Sequence, residues 1–170
     1  HWPQTDTYLD CWKQMEQLYK EGLVRAIGVC NFKEHHFEEL MKSAEIKPMV
    51  CQIESHPLFS QNKMLKYCKK NSIQMMAYTP TGRMDKRIRE SDVLRTIAEI
   101  HHKDVAQVIM RWHYQRGVIP IANTTNLEHL QSNMNIFDFC LEQSEMESID
   151  NMNIDCRLRY DPDTVDFTKC

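Results

Sequence analysis

Four places along the chain gather side chains able to hold a small polar ligand: Cys30–Asn31, Gln52–Glu54, Tyr78–Thr79 and Asn123–Thr124. They offer carboxamides, which donate and accept at once, together with hydroxyls, a carboxylate, a thiol and an aromatic ring. Each set closes a short apolar run. Polar residues at the ends of successive apolar strands are what a small-molecule site needs, and equally what caps strands and opens loops.

Other chemistries find no support in the spacing. Neither G-x-G-x-x-G nor G-x-x-x-x-G-K-S/T occurs, so a nucleotide site would be built without a glycine cradle. H-E-x-x-H and C-x-x-C are absent. The adjacent pairs His35–His36 and His101–His102 point in different directions from a helix, so the expectation is solvated faces and no metal site. No serine has the G-x-S-x-G surround. Asn123-Thr124-Thr125 matches a glycosylation acceptor that a cytosolic protein leaves unused.

The strand-end residues need elements to position them. Leu23–Cys30, Met49–Glu54, Ile73–Tyr78 and Val118–Ala122 are short apolar runs bounded by polar residues, as buried parallel strands should be. Between them, Tyr8, Leu9, Trp12, Met15, Leu18 and Tyr19 fall at three- and four-residue spacing, which predicts a helix closed by Gly22. Phe37, Leu40 and Met41 mark a second helix; Met64, Leu65 and Cys68 mark a third, with Ser60 as N-cap. Ser91 opens a helix through Leu94, Ile97, Ala98 and Ile100. Val105, Val108, Ile109 and Trp112 continue it after a break near His102–Lys103. Leu127, Leu130 and Met134 follow the fourth strand, and Met146 and Ile149 mark a short late helix. Strands alternating with helices imply a helix-covered parallel sheet, either a barrel or an open α/β sheet.

Composition narrows the class. The 170 residues carry 21 basic and 24 acidic side chains, and the formal charge of −3 leaves no footprint for nucleic acid or anionic lipid. No apolar run approaches the roughly 18–20 residues of a membrane span. Only 4 Gly and 6 Pro argue against a linker-rich chain. The 7 cysteines are odd in number and widely spaced, and no signal peptide precedes them, so reduced thiols in a cytoplasmic protein are expected. Cys30 and Cys51, inside apolar stretches, are expected to be small buried hydrophobes.

These motifs, taken in order, resemble the aldo-keto reductase family. The run Ala26-Ile27-Gly28-Val29-Cys30-Asn31-Phe32 is similar to the family's stretch ending G-V-S-N-F. Cys51-Gln52-Ile53-Glu54-Ser55-His56-Pro57 resembles N-Q-I-E-x-H-P, and Ala77-Tyr78-Thr79-Pro80-Thr81-Gly82 resembles A-Y-S-P-L-G. Asn133–Leu141 follows the pattern E-N-x-x-V-F-D-F-x-L, and His1-Trp2-Pro3 matches the H-W-P that ends the fourth barrel strand. The resemblance covers the whole chain in register.

The resemblance implies an α/β fold, the C-terminal half (strands five to eight with their helices) of a (β/α)8 TIM barrel over residues 1–152. A bacterial-type tail, 153–170, would lie over the substrate pocket. It implies reduction of aldehydes or ketones by direct hydride transfer from NADP(H) or NAD(H). His1 would orient the substrate carbonyl and Trp2 would wall its pocket. Asn31 and Gln52 would fix the nicotinamide carboxamide, Tyr78 would stack on the ring, and Thr79 and Thr81 would lie beside the pyrophosphate. Asn133 falls at the adenine end, where the preceding acidic residue is Ser132. A small carbonyl or alcohol is the expected partner, with no nucleic acid, no membrane, and a parent protein that is a monomer or weak dimer.

Three departures bear on the cofactor and the chemistry. Cys30 stands where most members have Ser, which loosens the expected carboxamide clamp. The phosphate-reading segment I-P-K-S/T aligns with Ile121-Ala122-Asn123-Thr124, and the basic residue six positions on from Asn123 is His129. A weakened preference for NADP follows. The family's proton-donating Tyr, with its Lys and Asp, lies before the H-W-P, and no tyrosine here has that context. The chain therefore reads as a truncated barrel, because a whole one needs about 250 residues. By itself it is expected to be inactive and, with two open sheet edges and an uncovered apolar face, poorly soluble. A non-catalytic nicotinamide-nucleotide-binding or regulatory protein on the same barrel is the alternative.

Overall fold

A computed structural model describes residues 1–4 and 7–165. Its elements run α1 (Tyr8–Lys20), β1 (Gly28–Cys30), α2 (Glu34–Met41), β2 (Val50–Glu54), α3 (Asn62–Lys70) and β3 (Gln74–Tyr78). A 3-10 turn at Gly82–Met84 follows, then α4 (Lys86–Arg89), α5 (Asp92–His101), α6 (Val105–Gln115), β4 (Ile119–Ile121), α7 (Leu127–Met134) and α8 (Gln143–Asp150). The strands form one sheet in the order β1–β2–β3–β4. β1 and β2 are parallel, with Gly28 opposite Val50 and Cys30 opposite Gln52. From β3, the Gln74 amide reaches Met49 O, and from the end of β2 the Ser55 amide reaches Tyr78 O, so these two strands also advance together.

The helix boundaries follow local chemistry. α1 ends in a left-handed Gly22 (φ 73°), whose amide donates to Tyr19 O at 3.0 Å, while the Leu23 amide reaches back to Leu18 O at 3.1 Å. α5 and α6 are separate helices. His102 turns left-handed at φ 53°, and Asp104 then caps α6 by accepting from the Gln107 amide at 2.7 Å. Ser91 caps α5 through the Leu94 amide. Ser60 is not the cap of α3. Gln61, left-handed at φ 55°, lies between it and the helix, and the Ser60 amide instead donates to Asn153 Oδ1.

The first apolar run is strand only at Gly28–Cys30, because Leu23 to Ala26 are exposed and pair with nothing in the sheet. Gly28 is held to glycine: a Cβ there would meet Val50 O at 2.6 Å.

The chain folds as two compact units. One comprises His1–Ile53, Asn62–Met76 and Arg159–Cys170. Its buried residues include Trp12, Phe37, Leu40, Cys51, Met64, Cys68 and Met75. Buried Glu16 accepts from the Trp12 indole at 3.1 Å and the Ile46 amide at 2.8 Å, which ties α1 to the loop before β2. The other unit comprises Glu54–Gln61 and Ala77–Leu158. Its core is Leu58, Ile88, Leu94, Ile97, Val108, Ile109, Trp112, Leu141 and Ile149. The expected tail belongs partly to each unit, and its residues 166–170 lie outside the described residues, Cys170 among them.

Candidate functional site

In the first unit, the end of β1 turns back on the start of the chain. Asn31 is 3% exposed and left-handed (φ 59°), a conformation Asn tolerates better than most residues. Its Nδ2 donates to His1 O at 3.0 Å, and its amide donates to Gln52 O at 2.9 Å. His1 is exposed and Trp2 half-buried, their rings 5.7 Å apart; the Trp2 ring meets Tyr160 edge-on at 6.3 Å. His1, Trp2, Tyr8, Trp12, Cys30 and Phe32 line a cavity of about 410 Å³. Cys30 is half-buried, not enclosed as expected, and burial pushes its thiol pKa up. Gln52 is half-buried, and its carboxamide has no partner among the described residues. Thus His1, Trp2, Cys30, Asn31 and Gln52 come together.

In the second unit, Tyr78 and Thr79 are half-buried at the end of β3, and Thr79 is left-handed (φ 52°). Thr81 leads into the turn at Gly82, Arg83 and Met84, all left-handed. Two non-glycine residues in that region store strain of the sort that collects at ligand clamps. Gly82 cannot be replaced cheaply, since its backbone is left-handed at φ 57° and a Cβ would run into Ile88 Cδ1 and lie 3.3 Å from His56 Cγ. After β4, Asn123 is exposed and Thr124 half-buried, with Thr124 Oγ1 accepting from the Asn126 amide at 3.1 Å. Asn126 caps α7 through the Glu128 and His129 amides, leaving the His129 side chain exposed; Asn133 is half-buried one helical turn on.

Glu54 is a structural pin. Fully buried, its Oε1 accepts from the Leu158 amide at 2.6 Å and pairs with His56 Nε2 at 3.0 Å. Buried His113 is pushed down to about 3 by desolvation and by the neighbouring Arg116. Arg116, held over the Trp112 ring and donating to Ser60 O at 2.7 Å, is itself lowered to about 10 by burial.

The expectation that His35 and His36 diverge is overturned. Their rings lie 4.0 Å apart, and both Nε2 atoms face Asp163 Oδ1, at 3.1 and 3.7 Å. Packing of His36 against Phe32 and Tyr8 turns its ring towards its neighbour. Burial pushes His36 down to about 4. Adjacent helical positions are about 100° apart at Cα, but long rings can close that gap, and the partner lies far downstream, invisible to local spacing.

A model of the Aldo/keto reductase family matches residues 1–154. Glyoxal reductase of Bacillus subtilis (strain 168) is 47% identical over 98% of this chain and 60% of its own length. The crystal structure of MGS-M4, an aldo-keto reductase enzyme from a Medee basin deep-sea metagenome library, superposes with a TM-score of 0.95 at 36% identity, over 98% of this chain and 62% of that one. A Bombyx mori aldo-keto reductase in complex with NADP gives 0.84 at 31% identity, over 92% of this chain and 53% of that one. The chain therefore spans between half and two thirds of the length of these relatives.

Proposed function

The chain belongs to the aldo/keto reductase family, and from that premise we propose that it is the C-terminal half of a carbonyl reductase dependent on a nicotinamide dinucleotide. The observation that carries this reading is the left-handed, buried Asn31, bonded to His1 O and set beside the half-buried amide of Gln52. Two carboxamides, one just after β1 and one midway along the neighbouring β2, fit the donor and acceptor of a nicotinamide carboxamide. When bound, the reduced cofactor supplies a hydride.

The residues of this chain bind and orient. In the first unit Asn31 and Gln52 would hold the carboxamide; in the second, the family resemblance gives half-buried Tyr78 the nicotinamide ring. Thr79 and Thr81, with the left-handed turn at Gly82–Met84, hold the pyrophosphate. His1 hydrogen-bonds the substrate carbonyl, and Trp2 limits the size of what reaches it. The relative named glyoxal reductase supports a small carbonyl as substrate. The described cysteines are free thiols, in keeping with a reducing, cytoplasmic compartment. Turnover by these 170 residues alone is not expected, because no tyrosine here has the context of the family's proton donor.

Asn123 and His129 are where the phosphate reading departs from the family, a Lys and an Arg being replaced, and both are exposed. Two lost hydrogen bonds to a charged phosphate at ~1.5–3 kcal/mol each correspond to about 10²–10⁴ in NADP affinity. NAD is therefore used comparably or better. Titration of the chain with NADH and NADPH, followed by fluorescence quenching, tests both points. Binding of neither would overturn the cofactor site, and a markedly tighter NADPH constant would overturn the lost preference. The same departures favour, as second reading, a non-catalytic nucleotide-binding protein; binding without glyoxal reduction by the longer protein that carries this chain would select it.

A further inference from the structure

We propose that His35, His36 and Asp163 form a site for a divalent transition-metal ion that favours imidazole, such as Zn²⁺, Ni²⁺ or Co²⁺. His35 Nε2 and His36 Nε2 lie 3.1 and 3.7 Å from Asp163 Oδ1, and the three ligand atoms are all within 4.8 Å of one another. Bonds of about 2.0–2.2 Å to a tetrahedral ion place ligand atoms roughly 3.3 Å apart. Small rotations of side chains therefore close the set, with no change of backbone. His36 is held between Phe32 and Tyr8, so one ligand is already oriented. His35 and Asp163 are 58% and 39% exposed, which leaves the remaining coordination position open to water.

Three features oppose the ion, and they set its affinity. Lys33 Nζ pairs with Asp163 Oδ2 at 2.5 Å, but it also holds Asp161 at 2.6 Å and can keep that partner while Asp163 turns. Two carboxylates share the one ammonium of Lys33. The Lys33 amide donates to His36 Nδ1 at 3.0 Å, so ligation through Nε2 moves the proton to Nδ1 and hands that amide to water. The site also sits at the N-terminus of α2, whose dipole disfavours a cation. Together these cost about one to two powers of ten, and point to micromolar affinity rather than the tight binding of a structural zinc site.

The bound ion would fasten residues 159–163 to α2 within the first unit, and with them Tyr160 against Trp2. Isothermal titration of the whole chain with Zn²⁺ should show one ion per chain. Co²⁺ should give visible bands without thiolate charge transfer, which excludes the cysteines as ligands. His35→Ala and Asp163→Asn should each weaken binding at least about tenfold. Lys33→Met, by removing the rival cation, should tighten it several-fold, an effect that loss of structure cannot mimic. His35 is exposed, so its variant keeps the fold, checked by circular dichroism. Unchanged binding in His35→Ala, a thiolate-dominated Co²⁺ spectrum, or no binding below millimolar Zn²⁺ would each overturn the site.

Discussion

Asn31 answers two demands at once. Its backbone is left-handed at φ 59°, and its side-chain amide bonds His1 O. Asn31→Ala should cost about 2 kcal/mol by chemical denaturation, from left-handed strain and the lost hydrogen bond. Asn31→Gly should recover the backbone share of that loss but not the cofactor affinity. Buried His113 bears on the acid limit. Its pKa is lowered to about 3, so the unfolded chain binds more protons than the folded one between that value and about 6.5. Stability contributed by keeping this ring neutral is full above that window and is lost as pH falls through it. Denaturation midpoints should therefore drop from about pH 7 to about pH 4, and His113→Gln should flatten the slope.

At the scale of elements, caps and glycines do much of the placing. Asp104 and Gln107 bond each other's amides at the start of α6, and the Gln107 side chain also donates to Ser132 O and Asn135 O at the end of α7. Asp104→Ala should cost about 1 kcal/mol in thermal or chemical unfolding. Gly82→Ala should cost about 2 kcal/mol or more, since it adds left-handed strain to a collision with Ile88. The helices were legible because their apolar residues recur at three- and four-residue spacing, and the breaks at Gly22 and His102 lie where the pattern stops. The apolar run Leu23–Cys30 overstates the first strand, because Leu23 and Val24 have strand-like side chains yet stay exposed. Neither Glu54 as a pin nor the meeting of His35, His36 and Asp163 could be read locally, because their partners lie far along the chain.

Across the whole molecule, the strand-end residues carry the family likeness, while the surface carries the apolar excess. α7 buries none of its residues; Leu127, Leu130 and Met134, on one face, are 67%, 48% and 67% exposed, and Ile119 of β4 is 46% exposed. A monomeric surface seldom leaves such a face bare. The isolated chain should self-associate on size-exclusion chromatography, and Leu130→Gln with Met134→Gln should reduce that without loss of helical signal; a monodisperse wild-type monomer would contradict it. The half-barrel reading of the sequence expects an uncovered apolar face where the rest of a barrel would pack; the exposure on α7 is visible only in the fold. The cysteines, finally, grade the molecule by accessibility. Cys11 and Cys140 are exposed, while Cys51 and Cys68 are fully enclosed in the first unit. A pulse of alkylating reagent should tag the outer pair at once and the inner pair only when that core opens, so the chain carries its own clock for local unfolding.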